Sequence, residues 1–344
     1  MKDLLAQLAQ GRSLSTDQAI DAFEKIMTGQ VTPAQLGAAL ALIQLRGPTI
    51  DEITGAATVM RRHSVKVDAP PGLTLIDTCG TGGDHAETFN ISTAAALVAA
   101  AVGRPRGVAV AKHGNRSATS KSGSSTVLEA LGVKLQVAPQ TLTCCLQEAG
   151  ICFCFAPLHH PAMKHAAPVR SELGFRTIFN ILGPLTNPAG AARQVLGVFD
   201  AGLTETLATV LQRLGSVHAM VVHGEFGKGG LDELSTAGPS WISELRDGKL
   251  ATRPFDARNF GVPLCDPAAL RVDSPQASAD VLRRVLAGEK GPHRDIVILN
   301  AAAALIVGGL ATDFTKGLEQ ARESLDSGAA SNTLEKLVAL TQAD

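Results

Sequence analysis

The sequence predicts an α/β protein: a small N-terminal helical bundle domain followed by a larger α/β domain with a mostly parallel central sheet. Two observations predict it. Three capping boxes follow one another between Ser15 and Glu52, and beyond Gly72 short β-rich runs alternate with alanine-rich ones. The boxes are Ser15 with Gln18, Thr32 with Gln35, and Thr49 with Glu52, and each leads into an apolar run of helical period such as AQLGAALALIQLRG. VDAPPG, residues 67–72, ends the helical pattern.

Strands are then expected in LTLID, GVAVA, GICFCFA, VLGVFD and HAMVVHG. The helix after the first of them, ending in AAALVAAAVG, should be capped by Ser92 or Thr93. A second helical stretch at 160–180, closed by ILGPLTNP, is expected to pack back onto the bundle. That places 1–70 with 160–187 in one domain, and 71–159 with 188–344 in the other. IVILNAAAALIVGGL is too short for a bilayer and reads as a buried helix.

Composition narrows the function. Basic and acidic residues nearly cancel, at 31 against 32, there is no tyrosine and only one tryptophan, so both the charge and the stacking platforms of a nucleic-acid binder are lacking. A small-molecule partner is expected, with no nucleic acid and no membrane. The start, MKDLLAQLAQGRS, offers no continuous apolar stretch for secretion, and the chain is expected in the cytoplasm. Cys79, Cys144, Cys145, Cys152, Cys154 and Cys265 form no paired CxxC and are expected to be reduced core thiols; in a strand, Cys152 and Cys154 share one face.

Three loops could hold one ligand. DTCGTGGDHAETFNIST, residues 77–93, is a strand, a turn with Gly80, Gly82 and Gly83, and a helix start. It is not a dinucleotide fingerprint, which needs glycine where His85 stands, nor a P-loop, which needs Gly-Lys-Ser/Thr. Glycines still let amides approach an anion, and the helix N-terminus adds unpaired donors, although such a turn can also simply join strand to helix.

The second loop, AKHGNRSATSKSGSS, repeats the strand, loop and helix arrangement and adds Lys112, His113, Arg116 and Lys121 among six hydroxyls. That is more than a turn requires, and two such loops at strand ends suit a ligand with two phosphate groups. In the third, HGEFGKGGLDELS, Asp232 and Glu233 follow a glycine turn, so both can face one cavity. Hard oxygen ligands near phosphate suggest Mg²⁺. An exposed Asp-Glu pair is otherwise only solvated.

GTGGD, TFNIST, KHGNR, SKSGS, HPAMKHAAPVRSELGFRTIFNILGPLTNP and GLDE, in this order and spacing, resemble the anthranilate phosphoribosyltransferases. The likeness runs the length of the chain. It implies that anthranilate attacks C1 of 5-phosphoribosyl 1-pyrophosphate (PRPP), releasing pyrophosphate, in tryptophan biosynthesis. It also implies a hinged pair of domains and a homodimer through the helical part.

Carried over residue by residue, the resemblance implies PRPP contacts from Gly80, Gly83, Asp84, Thr88, Asn90, Ile91, Ser92 and Thr93. Lys112, His113, Gly114, Asn115, Arg116, Ser117, Ala118, Thr119, Ser120 and Ser124 would hold the same substrate, with Lys112 and Arg116 stabilising the leaving group. Gly80, Asn115 and Arg170 would meet anthranilate. Two Mg²⁺ ions are implied, one on Ser92 and Glu233, the other on Asp232 and Glu233. HAE, residues 85–87, and Thr119 depart from the usual pattern without removing an implied ligand.

His113 could be a general base, or it could shape the loop and line the aromatic pocket. His159, His160 and His165 have no metal spacing and are expected to pack or to lie on the surface. The runner-up enzyme is a pyrimidine nucleoside phosphorylase, against which KHGNR and the Asp232-Glu233 pair speak, since orthophosphate attack needs no metal-pyrophosphate site. A non-catalytic relative that binds nucleic acid is the other alternative; the net charge of −1 speaks against it.

Overall fold

A computed structural model of the protein describes residues 1–116 and 122–344. Four helices open it: α1 (Lys2–Ala9), α2 (Thr16–Met27), α3 (Pro33–Arg46) and α4 (Ile50–Arg62). All three expected capping boxes form, with Ser15, Thr32 and Thr49 each accepting from the backbone amide three residues on. The third does more than cap. Glu52 is fully buried, and its carboxylate takes the Leu14 amide at 2.9 Å, the Thr49 amide at 2.9 Å and the Arg46 guanidinium. Such a buried charge is tolerated because every oxygen is partnered.

Strands β1 (Thr74–Gly80), β2 (Val108–Gly114), β3 (Ile151–Phe155), β4 (Arg193–Gly197) and β5 (His218–Phe226) correspond to the five expected runs. Sequence reading missed β6 (Gly229–Leu231), β7 (Ser240–Arg246) and β8 (Lys249–Phe255). Among the described residues the eight strands form one sheet in the order β3-β2-β1-β4-β5-β7-β8, with β6 paired to β5. The pairs from β3 to β5 are parallel and the rest antiparallel. The antiparallel edge escaped notice because the central strands, buried on both faces, are continuous apolar runs, whereas β8 is largely exposed and reads KLATRPF.

The chain leaves β1 toward β2 and β3, then returns to add β4 on the other side. The reversal lies between β1 and β4, the switch point where open α/β sheets bind ligands at their carboxyl ends.

α5 (Ile91–Gly103) follows β1, and here one expectation is corrected: the cap is Asn90, whose side chain accepts from the Thr93 amide at 3.0 Å, while Ser92 and Thr93 lie inside the helix. Ile296–Val307 is buried within helix Pro292–Val307, as expected. Two apolar cores result. One joins β1–β3 and one face of β4 and β5, through Val195, Met220 and Val222, to α5 and the C-terminal helices; the other joins the bundle and helix Leu203–Arg213 to the opposite face, through Leu196, Ala219 and Val221. Phe179, from the 160–187 stretch, meets Phe23 of α2 edge to face at 5.7 Å.

All six cysteines are free, and Cys152 and Cys154 do share one face, 3.8 Å apart. Cys144 is a correction. It is exposed on helix Pro139–Glu148, whose buried positions fall on Leu142, Cys145 and Leu146.

Candidate active site

A cavity of about 660 Å³ opens at the carboxyl ends of β1, β2 and β4. The glycine-rich loop lines it through Gly80, Gly83, Asp84, Thr88, Asn90, Ile91 and Ser92, and β2 contributes Lys112, His113, Gly114, Asn115 and Arg116. Ser124, Arg170, Asp232 and Glu233 complete the residues expected there. Thr93 is buried under the loop as part of α5. Ser117, Ala118, Thr119 and Ser120 lie outside the described residues, as does Lys121.

The glycine loop is shaped by hydrogen bonds. Asp232 Oδ2 accepts from the Gly82 amide at 2.8 Å, and Asp84 Oδ2 accepts from the Asp232 amide at 3.2 Å. Asn90 also donates to the Ser122 carbonyl at 2.9 Å, and Ser122 Oγ donates to the Thr88 carbonyl at 2.6 Å, so the first and second loops are stitched together. Helix α5 starts at Ile91 and directs its N-terminus into the cavity, where its unpaired amides favour an anion.

Lys112 and His113 are strand residues, not loop residues, and their burial changes what they can do. Lys112 is 2% exposed; its ammonium donates to the Thr78 carbonyl and, at 3.2 Å, to Ser92 Oγ. Burial lowers its pKa, opposed by the charges of Asp77, Glu233 and Asp232. Beneath it, fully buried Asp77 accepts from the His113 amide at 3.0 Å and from Asn187 Nδ2 at 2.8 Å, locking β2 to the turn after Pro184. Burial raises the Asp77 pKa despite these donors.

His113 Nδ1 lies 3.1 Å from the Gly183 carbonyl, which can only accept, so Nδ1 carries the proton. Its Nε2 is then the acceptor for His160 Nε2 at 3.2 Å. Burial lowers His113 to a pKa of about 3 and His160 to about 4, with the charge of His160 adding to the effect on His113 and that of His159 to the effect on both. Both are neutral. His113 is therefore no cation for phosphate, and both its nitrogens are engaged. His160 packs, as one of its two expected placements has it, buried against the His113 ring, and it lines the cavity as well.

The acidic side of the cavity crowds the carboxyls of Asp84, Asp232 and Glu233 together, which adds to burial in disfavouring ionisation of the last two. Burial, followed by the nearby Asp84 and Glu233, raises Asp232 well above the ordinary range; Glu233 is raised to about 7 by burial, against the pull of Lys112. Glycines make room for this segment: a Cβ on Gly80 or Gly197 would overlap Asp232, and one on Gly224 would stand 2.7 Å from the Glu233 carbonyl. Among the described residues no three acidic, His or Cys side chains form a ready metal cage. The donors that do face the cavity, the Asp232 and Glu233 carboxyls and Ser92 Oγ, are hard oxygens of the kind Mg²⁺ takes, one or two at a time, beside waters and substrate phosphates.

Arg170 stands on the facing wall, on helix Ala167–Leu173, with its guanidinium over the Phe179 ring at 5.1 Å. Arg176 also lines this wall and was assigned no role from sequence, although FRTIFN places it six residues beyond Arg170.

The fold and this cavity define a glycosyltransferase with a helical bundle beneath an α/β domain. The family model described as glycosyl transferase family, a/b domain, matches residues 72–331, and that of its helical bundle domain matches residues 2–64. The chain is 48% identical over 342 residues to anthranilate phosphoribosyltransferase of Methylobacterium nodulans, covering 99% of each. It superposes on the crystal structure of anthranilate phosphoribosyltransferase from Thermus thermophilus with a TM-score of 0.91 at 41% identity, covering 99% of both chains. The Saccharomyces cerevisiae enzyme in complex with PRPP and Mg gives 0.88 at 27% identity, covering 99% of this chain and 98% of that one. The same yeast enzyme in complex with 4-fluoroanthranilate gives 0.86 at 26% identity, with the same coverage. This chain belongs to the anthranilate phosphoribosyltransferase family.

Proposed function

We propose that the chain transfers the phosphoribosyl group of PRPP to anthranilate, giving N-(5-phosphoribosyl)anthranilate and pyrophosphate. One observation carries the reading: the glycine loop, the end of β2, the Asp232-Glu233 pair and Arg170 all face one cavity at the sheet's switch point.

Breaking the C1–O bond puts negative charge on pyrophosphate and positive charge on the ribose, so preorganised donors around the leaving group give the largest help. In this reading Gly80, Gly83, Asp84, Thr88, Asn90, Ile91 and Ser92 cradle PRPP, with Lys112–Ser120 and Ser124 around the same ligand, while Thr93, buried in α5, supports the helix start behind them. Lys112 and Arg116 stabilise the leaving group. Support for Lys112 comes from its burial beside Ser92, where a charge is weakly screened. Mg²⁺, held by Ser92 and Glu233 and a second time by Asp232 and Glu233, supplies further charge and orientation.

Arg170 receives the anthranilate carboxylate, with Asn115 and Gly80 beside the ring; a guanidinium suits carboxylate geometry. The attacking amine is neutral at pH 7 and needs a base late at most. His113, neutral and engaged at both nitrogens, is given no proton to carry and instead shapes the acceptor side.

The domains are proposed as 1–70 with 160–187, and 71–159 with 188–344; the contact of Phe179 with Phe23 supports the first grouping. A homodimer through the bundle rests on the family resemblance, and a cytoplasmic location on the lack of a continuous apolar stretch in MKDLLAQLAQGRS. No helix among the described residues is long and apolar enough to cross a membrane.

The test is the loss of anthranilate fluorescence when purified protein meets PRPP with Mg²⁺, and again with EDTA. A decay that needs Mg²⁺ establishes the reaction. No decay, with PRPP still bound in calorimetry, assigns another acceptor.

A further inference from the structure

Arg176 has no part in the reading above, yet it spans the cavity. It lies between helices Ala167–Leu173 and Phe179–Leu182, on the segment that carries Arg170. Its Nη2 donates to the Gly83 carbonyl of the glycine loop and stands 3.3 Å from His85 Nε2. The guanidinium also sits 4.2 Å above the Phe199 ring, just beyond β4.

The loop needs such a hold. Gly82, Gly83, His85 and Glu87 all have left-handed backbones, at φ 65°, 79°, 57° and 56°, and the two that are not glycine resist it. A Cβ on Gly83 would stand 2.8 Å from Arg176 Nη2, so any other residue there would push the guanidinium aside. Because the peptide is planar and trans, a Gly83 carbonyl fixed toward Arg176 sends the Asp84 amide to the opposite side. Only a planar guanidinium can stack on Phe199 and donate from its edge at once; a lysine could not do both.

We infer that Arg176 is a positioning residue: through the Gly83 carbonyl it holds the glycine loop in its anion-binding shape and ties that loop to the segment bearing Arg170. The inference rests on the donor role proposed for the loop.

The test compares wild type with Arg176→Gln by calorimetric titration of PRPP with Mg²⁺, and by amide hydrogen exchange across residues 80–90. Loss of one charge-assisted hydrogen bond is expected to raise the PRPP Kd roughly tenfold and to speed exchange in the loop. Arg176→Lys should recover only part of the affinity. Unchanged affinity and exchange in Arg176→Gln overturns the inference, as does an Arg176→Lys protein equal to wild type. Should Arg176→Gln fail to fold, Phe199→Leu removes the stacking alone; faster loop exchange supports the hold and unchanged exchange overturns it. If wild type does not bind PRPP, the donor assignment falls, and exchange without ligand still decides the role of Arg176.

Discussion

Gly197 and Asp232 share one space: a Cβ on Gly197, the last residue of β4, would overlap the Asp232 carbonyl oxygen. Gly197 pairs with Gly80 across the β1–β4 register, so two side-chain-free positions form the floor on which the acidic pair rests.

Gly197→Ala therefore tests whether that floor sets the position of the pair. Its backbone is not left-handed, so the added methyl acts only by displacing Asp232 and Glu233. A displacement of about 1 Å is expected to lower kcat/KM by about 100-fold. Circular dichroism should remain that of the wild type. Activity within a few-fold of wild type would show that the segment yields without cost.

Asp232→Asn should separate stability from activity. Burial, Asp84 and Glu233 all disfavour the ionised Asp232, whose pKa is raised, so at neutral pH the charge opposes folding. Asparagine keeps an oxygen for the Gly82 amide and removes the charge. The variant is expected to melt higher by roughly 2–4 °C while losing most of its Mg²⁺-dependent rate. A lower melting temperature in calorimetry would contradict this account of the site's electrostatics.

Much of this was legible in the sequence because it is local. The capping boxes need only residues three apart, and the buried central strands announce themselves as apolar runs. The glycine loop and the Asp232-Glu233 pair were visible as residue types, but their meeting across 150 positions, through the Gly82 amide, depends on strand order. The cap was misplaced for a local reason: Ser, Thr and Asn all cap well, and Asn90 stands just ahead of two competitors. His160 and Arg176 were not legible as site residues, since a histidine paired with His113 and an arginine reaching Gly83 are defined only by tertiary contacts. Lys112 looked like a loop cation because a strand boundary cannot be drawn to within two residues from pattern alone.

Arg170→Lys should discriminate between the substrates. The change keeps the positive charge but loses the planar fork suited to a carboxylate and the guanidinium's stacking over Phe179. KM for anthranilate is expected to rise about tenfold or more, with KM for PRPP within about twofold. An unchanged anthranilate KM in steady-state assays would remove Arg170 from the acceptor site.

The neutral pair His113 and His160 gives the protein an acid limit that can be measured. An unfolded histidine titrates near 6.5, whereas burial, helped by the charge of Lys112 on one and Lys66 on the other and of His159 on both, holds these at about 3 and about 4. Above the unfolded value both states are neutral and the full stability is present. As the pH falls below 6.5 the unfolded chain takes up protons that the folded chain refuses, and stability drops by about 1.4 kcal/mol per pH unit for each imidazole until the folded values are reached. His160→Gln can still donate to His113 Nε2 but does not titrate. Denaturant unfolding followed between about pH 7 and about pH 5 should therefore show a slope shallower by about one proton in the variant. Equal slopes would mean that His160 is protonated in the folded protein, and the Nε2-to-Nε2 contact would then be set by a charged imidazole.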